Sequence, residues 1–196
     1  LDLSGSVRLR CAIAGSAPAP GRRFSKGRFR MHVIVCIKQV PESSNVRMDE
    51  RTGTLVREGV ENIVNPLDLY AIELGLRLKE RCGGSVSVVS MGPRSAEKAV
   101  REAMAMGCDA GALVSHPAFA GSDTWATSFT LAAAVKKLAP FDLVLTGVRA
   151  TDGETGQVGP ALASLLRLPL CTYTSSVLSV GAGSITAERL VEGGYE

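Results

Sequence analysis

The sequence predicts an α/β fold in which helices cover both faces of a doubly wound, mostly parallel sheet. Short apolar runs rich in Val, Ile and Leu alternate with segments that have the apolar spacing of helices. This alternation is typical of strand–helix–strand units, because parallel strands need long crossovers between them. The length of 196 residues, with 45% hydrophobic and 21% charged residues, suits one globular domain.

Each predicted strand is a short apolar run bounded by Pro, Gly or polar residues. The five runs are residues 32–40, 85–90, 111–115, 142–146 and 170–174. The predicted helices are residues 68–81, 95–106, 123–138 and 161–167. Asn65-Pro66 precedes the first helix, since proline suits a first helical turn, and Gly107 ends the second. The glycines at 181 and 193–194 predict a final hairpin or the start of a longer segment.

Ligands of doubly wound sheets bind beyond the carboxyl ends of the strands, where the strand order reverses. The loops expected at that edge are residues 36–41, 91–93 and 147–157. We therefore expect any binding site to be built from these three segments.

Residues 147–160 form a glycine-rich polar loop between a predicted strand and a predicted helix, and this loop is the most informative segment of the chain. Its glycines allow close approach of the backbone, and the amides of a first helical turn attract anions, which predicts a nucleotide site. It matches neither G-x-G-x-x-G nor the lysine-containing phosphate loop. Asp152 and Glu154 would repel phosphate, which favours ribose or flavin groups beside them. An ordinary loop capped by Asp152 and Thr155 is the competing interpretation.

The composition disfavours several functional classes. Residues 1–30 carry seven basic groups and one acidic group, a net charge of +6, which leaves 15 basic and 18 acidic groups, or −3, for the other 166 residues. The domain itself is therefore not basic, and with few aromatic residues it is a poor candidate for binding nucleic acid. No apolar run approaches the roughly 20 residues of a membrane span. Five scattered cysteines and two histidines predict neither a metal site nor a disulfide framework.

The first thirty residues, rich in Arg, Ser, Gly, Ala and Pro, have no convincing periodicity. Three explanations compete: a mitochondrial-type transit segment, a disordered extension, or non-native sequence upstream of Met31. We favour one of the last two over a transit segment and expect the domain to occupy residues 31–196. A cytoplasmic location follows from the reduced-thiol interpretation of the cysteines, with the mitochondrial matrix as the alternative.

Taken singly, the other candidate residues fit structural roles. Cys36 lies in a predicted strand and Met91 lies at the end of another, and both would fill the core. Residues 65–68 would begin a helix, and Lys38 and Arg149 could neutralise phosphate or stay solvated. No acid–base pair or nucleophile is evident, so no catalytic residue is predicted.

Together these segments resemble the β subunit of electron transfer flavoproteins. The resemblance is carried in the same order by residues 35–41, 63–68, 76–80, 88–93, 103–109 and 147–160. It implies a Rossmann-like fold of the adenine-nucleotide α-hydrolase type and a heterodimer with an α subunit that holds an electron-carrying FAD. The chain would be an electron carrier that also serves acyl-CoA dehydrogenases or similar redox partners.

The resemblance also implies a set of cofactor-binding residues. These are Cys36, Asn65, Pro66, Leu67, Asp68, Met91, Gly147, Val148, Arg149, Ala150, Thr151, Asp152, Gly153, Glu154, Thr155, Gly156, Gln157 and Val158. The cofactor in the β subunit is FAD in electron-bifurcating members and AMP in simpler ones. The stretch from Asp152 to Gly159 resembles the FAD-binding type, whereas Arg149 and Thr151 depart from the usual pattern, so the alternative of AMP stays open.

With FAD in the β subunit, the resemblance implies that the flavin takes a hydride from NADH and divides the electron pair between two acceptors. The family also continues into a partner-recognition loop and a C-terminal arm, so we expect a sequence truncated at its C-terminus. The rival hypothesis is a stand-alone ATP- or AMP-binding module of the universal stress protein type. A ligase that uses ATP would need a Ser-Gly-Gly loop after the first strand, which is absent from Gln39-Val40-Pro41-Glu42.

Overall fold

The structure, a computed structural model, describes residues 30–42, 61–181 and 183–195, together with the backbone of residues 11–12, 47–48 and 55–56. The α-helices of this part are α1 (Pro66–Cys82), α2 (Glu97–Ala105), α3 (Thr124–Lys137) and α4 (Val158–Leu166). The strands are β1 (Cys11–Ala12), β2 (Met31–Ile37), β3 (Gln39–Pro41), β4 (Arg47–Met48), β5 (Leu55–Val56), β6 (Asn62–Val64), β7 (Gly84–Met91), β8 (Ala110–Val114), β9 (Leu143–Thr146), β10 (Thr174–Gly181), β11 (Ser184–Val191) and β12 (Gly194–Tyr195).

The central sheet is parallel, with the strand order β8-β7-β2-β9. The chain passes from β2 outward to β7 and β8, and then returns to add β9 on the other side of β2. The strand order therefore reverses between β2 and β9, and we call this place the switch point.

Helices cover both faces of this sheet, as the alternation of side chains along its strands requires. Val33 and Val35 of β2 pack with α1 and α2, whereas Ile34 and Cys36 pack with α3 and α4. Residues of the central strands are almost fully buried, which explains their continuous apolar sequences. The predicted doubly wound α/β fold is confirmed.

The first predicted strand, residues 32–40, is interrupted at Lys38. The chain leaves the parallel sheet there, and β3 pairs with β6 in antiparallel fashion, with Gln39 opposite Val64. A continuous run of strand-forming residues cannot reveal this break, because the residues on both sides of Lys38 form strands. The prediction of one unbroken strand was wrong.

The fifth predicted strand, residues 170–174, was also wrong in place. Tyr173 has a φ of 54°, a left-handed conformation that an extended strand cannot contain. β10 begins only at Thr174 and pairs with β11 in an antiparallel hairpin. This hairpin confirms that the last part of the chain folds back on itself, and Ile185 joins the core beside α1.

Most of the first thirty residues lie outside the described part of the chain, so the prediction made for them stays a prediction. The backbone of β1 pairs with β11, with Cys11 opposite Ile185. Within the described residues, no helix is both long enough and apolar enough to cross a membrane.

Candidate nucleotide site

The candidate site lies at the carboxyl ends of β2, β7 and β9, around the switch point. β9 ends at Thr146 and α4 begins at Val158, so residues 147–157 form the intervening loop. α1 begins at Pro66 on the other side of the switch point and brings Asn65, Leu67 and Asp68 towards this loop.

Asp68 links the ends of the two strands that flank the switch point. Its side chain lies in the first turn of α1, and the residue is only 6% exposed. Oδ2 accepts the backbone N–H of Lys38 at 2.7 Å, just beyond β2, and the carboxylate also lies against Gly147, just beyond β9, and interacts with its backbone N–H. Burial raises the pKa of Asp68 to about 6, although these hydrogen bonds and the charge of Lys38 oppose the rise.

Asn65 holds the next part of the loop. The residue is 1% exposed; its Nδ2 donates to the carbonyl oxygen of Arg149 at 2.9 Å, and its Oδ1 accepts the N–H of Thr151 at 3.2 Å. One amide side chain thus satisfies two backbone groups of an irregular segment, as buried loops require.

Lys38 makes the third connection to the loop, through its side chain. Nζ donates to both carboxylate oxygens of Asp152 at 2.7 Å. The two side chains are 47% and 32% exposed, so water screens this ion pair more than it screens Asp68. Its geometry nevertheless places a cation and a carboxylate at the mouth of the candidate site.

Two glycines, Gly147 of the loop and Gly159 of α4, are required by close packing. A Cβ added at Gly147 would lie 2.1 Å from Oδ1 of Asp68, and a Cβ added at Gly159 would lie 2.8 Å from Oγ1 of Thr146. Gly156 has a φ of 63°, whereas a Cβ at Gly153 would meet open space. The left-handed position beside Gly153 belongs to Glu154, with a φ of 51°.

The second half of the loop presents backbone donors at the start of α4. Among the residues that the structure describes, the amides of Thr155, Gly156, Val158 and Gly159 donate to no protein acceptor. Gln157 precedes α4 without capping it through its side chain; its Oε1 accepts the hydroxyl of Thr124 at 3.0 Å instead. Unpaired amides at a helix N-terminus form a favourable environment for phosphate.

Cys36, Met91 and Val158 meet on the face of the sheet covered by α3 and α4. Burial, with a further effect of the Asp68 carboxylate, raises the pKa of Cys36 to about 12. The thiol is therefore protonated at neutral pH and cannot act as a nucleophile. Both Cys36 and Met91 contribute apolar contacts to the packing between the sheet and these two helices.

A cavity of about 850 Å³ adjoins the loop along β9, which is an edge strand of the central sheet in the described part of the chain. Its walls come from α1, α4 and the β10–β11 hairpin. Leu67, Val148, Arg149 and residues 154–156 line the end nearest the loop. The cavity is otherwise mainly apolar, and it does not include Cys36, Asn65 or Met91.

The structure brings the predicted site residues to one edge of the sheet, but their contact with a nucleotide stays a prediction. Pro66 begins α1, and the carbonyl of Ala150 accepts the N–H of Glu154 at 2.8 Å. The sequence did not reveal that Lys38 holds Asp152 or that Thr124 contacts Gln157. Opposite charges at 38 and 152 were the available signal for the first of these contacts.

Comparison with known proteins agrees with this arrangement. Residues 52–196 match the sequence profile described as "Electron transfer flavoprotein domain". This chain belongs to the electron transfer flavoprotein family. The resemblance predicted from its motifs is therefore confirmed.

Relatives of the chain within this family include β subunits and FixA proteins. It is 47% identical to protein FixA of Azotobacter vinelandii over 171 residues, which cover 85% of this chain and 61% of that protein. It is also 47% identical to the electron transfer flavoprotein subunit beta of Clostridium acetobutylicum over 166 residues, covering 85% and 63%.

A third relative is subunit CarD of the caffeyl-CoA reductase-Etf complex of Acetobacterium woodii. The identity is 47% over 167 residues, covering 85% of this chain and 63% of CarD. The chain thus spans about three fifths of the length of the curated relatives it matches.

Proposed function

We propose that this chain forms the nucleotide-binding part of an electron transfer flavoprotein β subunit. The observation that carries the proposal is the set of four unpaired amides at the start of α4, those of Thr155, Gly156, Val158 and Gly159. They lie at the switch point, where doubly wound sheets bind ligands. Family membership adds the chemistry of the ligand, since the family is one of flavoproteins.

The residues present fit an adenine nucleotide. The amides of Thr155, Gly156, Val158 and Gly159 would donate to phosphate oxygens, and the hydroxyl of Thr155 would add a donor. Asp152 and Glu154 would accept hydroxyl groups of ribose or flavin rather than approach phosphate. Cys36 and Met91 would offer an apolar surface at the base of the site.

We propose FAD as the nucleotide, with AMP as the alternative. The Asp152-to-Gly159 sequence supports this choice by its resemblance to family members that bind FAD in β, and CarD belongs to a reductase–Etf complex. When bound, FAD supplies the electron-accepting ring, whereas the chain supplies binding, orientation and exclusion of water.

The proposed partner is an electron transfer flavoprotein α subunit, in a heterodimer that exchanges electrons with NADH, an acyl-CoA dehydrogenase or a similar redox protein. The comparisons do not favour the rival hypothesis of a stand-alone nucleotide module of the stress-protein type. That rival predicts a homodimer that stays colourless with or without an α subunit.

The experiment is to produce the chain with its α subunit, purify the complex, denature it and identify the released nucleotides by mass and absorbance. Two FAD molecules per heterodimer are expected. One FAD together with one AMP would contradict the choice of FAD, and the absence of any nucleotide from the β chain would contradict the proposed function. Thr155→Val, which removes a hydroxyl and keeps the volume, is expected to lower the nucleotide content, whereas Thr127→Val on α3 serves as a matched control.

A further inference from the structure

The loop at residues 147–157 is fastened in its first half and presents its donors in its second half. Asp68 packs against Gly147 and interacts with its N–H, and Asn65 holds the backbone on both sides of Ala150 through two hydrogen bonds. The amides of Thr155 and Gly156 follow and donate to no acceptor in the described part of the protein. The contacts made by α1 thus fix where the second half begins.

We propose that Asp68 and Asn65 are positioning residues of the nucleotide site, which hold the loop by its backbone so that its later amides face the ligand. This inference rests on the proposed function, because the affinity that it concerns is affinity for an adenine nucleotide. It assigns to the two polar side chains of the Asn65–Asp68 segment a role that needs no direct contact with the ligand.

The burial of the two side chains and the number of contacts they make support this role. Asp68 is 6% exposed and Asn65 is 1% exposed, and the contacts described above engage both ends of the Asn65 amide and the Asp68 carboxylate. A carboxylate that bonds to the backbone at one strand end and packs against the backbone at the other fixes the spacing between them more firmly than a contact to one end would. Movement of about 1 Å in a binding loop is sufficient to weaken a polar site strongly.

The amino-terminal ends of the strands offer a comparison. There Oδ2 of Asp142 accepts the N–H of His32 at 2.8 Å, and Oδ2 of Asp109 accepts the N–H of Val86 at 2.8 Å. These carboxylates hold the amino ends of β2 and β7, where doubly wound sheets do not bind ligands. Asp142 and Asp68 therefore hold the two ends of the same strand, and only the second is expected to affect nucleotide affinity.

The charge that influences the pKa of Asp68 is that of the Lys38 ammonium, just beyond β2, and the Asp68 carboxylate in turn raises the pKa of the Cys36 thiol on β2. Lys38 is also paired with Asp152 from the loop. Because burial raises the pKa of Asp68 to about 6, the carboxylate is mostly ionised at pH 7.5 and can accept the Lys38 amide and attract that of Gly147. Protonation below about pH 6 is expected to weaken the hold on Gly147 and Lys38.

The test measures the dissociation constants of AMP and FAD for the full chain, co-produced with its α subunit where stability requires it, by calorimetry at pH 7.5. Asp68→Asn keeps one acceptor oxygen and Asp68→Leu keeps none. We expect the dissociation constant to rise about tenfold in the first and more in the second, as for hydrogen bonds to charged groups. Asn65→Ala is expected to behave like Asp68→Asn, and Asp142→Asn to leave the constant unchanged.

Two further readouts separate positioning from general destabilisation. The wild-type dissociation constant is expected to rise on acidification through about pH 6, and this dependence should vanish in Asp68→Asn. Hydrogen exchange at the amides of Lys38 and Gly147, measured without nucleotide, should accelerate in Asp68→Asn but not in Asp142→Asn. If Asp68→Leu does not fold, Asp68→Asn and Asn65→Ala still provide the comparison.

The inference is overturned if Asp68→Asn and Asp142→Asn change the affinity equally, or if neither Asp68→Asn nor Asn65→Ala changes it. Should the wild type bind neither AMP nor FAD, the proposed function fails, and hydrogen exchange alone then decides the role of Asp68. Unchanged exchange at Gly147 in Asp68→Asn would contradict the fastening of the loop. Faster exchange would establish that fastening without a nucleotide.

Discussion

A Cβ on residue 147 would lie 2.1 Å from Oδ1 of Asp68, so these two residues can occupy their places only because residue 147 is glycine. Gly147→Ala is therefore expected to displace Asp68 or the loop and to lower the free energy of unfolding by roughly 1–3 kcal/mol, as in other overpacked sites. Gly153→Ala in the same loop meets open space and is expected to change the stability by less than about 0.5 kcal/mol. Urea unfolding of the two variants gives the comparison, and equal losses would contradict it.

A second close approach joins Gly159 of α4 to Thr146 at the end of β9. The added methyl of Gly159→Ala would meet Oγ1 of Thr146 at 2.8 Å, but it would lie at an ordinary 3.8 Å from Cβ. Gly159→Ala alone is expected to destabilise the protein. Thr146→Ala in the same chain removes the clashing hydroxyl and is expected to restore about 1 kcal/mol or more, seen as a coupling energy in a double-mutant cycle. Additive single effects would show that the helix moves away instead.

The fold class was predictable because buried parallel strands and their crossover helices leave separate patterns in the sequence. The break at Lys38 was not, since it depends on the pairing of Gln39 with Val64, far along the chain. Residues 170–174 were wrongly predicted as a strand because apolar content alone suggested burial. In the structure Leu170 is 43% exposed and Tyr173 is 62% exposed, and the left-handed φ of Tyr173 excludes a regular strand.

The site could be predicted at the level of segments but not of contacts. The glycine loop and Asn65-Pro66 were recognisable as a set, because several motifs occur together in the family order. The role of each glycine depends on its neighbours in three dimensions. Gly147 and Gly159 allow close packing, whereas Gly153 has no close neighbour and does not adopt a left-handed conformation. The link from Lys38 to Asp152 spans 114 residues and follows only from the strand order.

Asp68 is expected to give the stability of the protein a distinctive pH dependence. Its pKa rises from 3.8 to about 6 on folding, so the folded state favours the protonated carboxyl. The contribution of this carboxyl to the free energy of unfolding is therefore fully present below about pH 3.8, and it is lost as the pH rises through about 6. Asp68→Asn stays neutral throughout.

Between about pH 4 and pH 7, the free energy of unfolding of the wild type is therefore expected to fall by roughly 2 kcal/mol relative to Asp68→Asn. Urea unfolding at several pH values measures this difference, and a ¹³C titration of the Asp68 carboxyl checks the pKa directly. A difference that stays constant with pH would contradict the assignment. Nucleotide affinity is expected to change in the opposite direction, since it depends on the ionised form.

The ion pair between Lys38 and Asp152 is expected to contribute little to stability. Both side chains are partly exposed, at 47% and 32%, so solvent screens their attraction. Lys38→Met keeps the aliphatic part of the side chain and is expected to cost less than about 1 kcal/mol, and less still at high salt. Arg77→Met, which breaks an exposed pair with Glu73 on α1, is the matched control. A much larger loss at Lys38 in urea unfolding would show that Asp152 controls the loop more strongly than Asp68 and Asn65 do.

Cys36 is expected to resist alkylation although it lies beside the candidate site. Burial raises the pKa of Cys36 to about 12 and that of Cys108 to about 11, whereas Cys82 and Cys171 are only half-buried. At pH 8 about one Cys36 side chain in ten thousand would be a thiolate, and only the thiolate reacts with iodoacetamide. Peptide mapping by mass spectrometry is expected to show fast labelling of Cys171 and Cys82 and slow labelling of Cys36, with equal labelling after unfolding in urea. Labelling of native Cys36 as fast as that of Cys171 would mean that the packing around Cys36 opens to solvent far more than its burial allows.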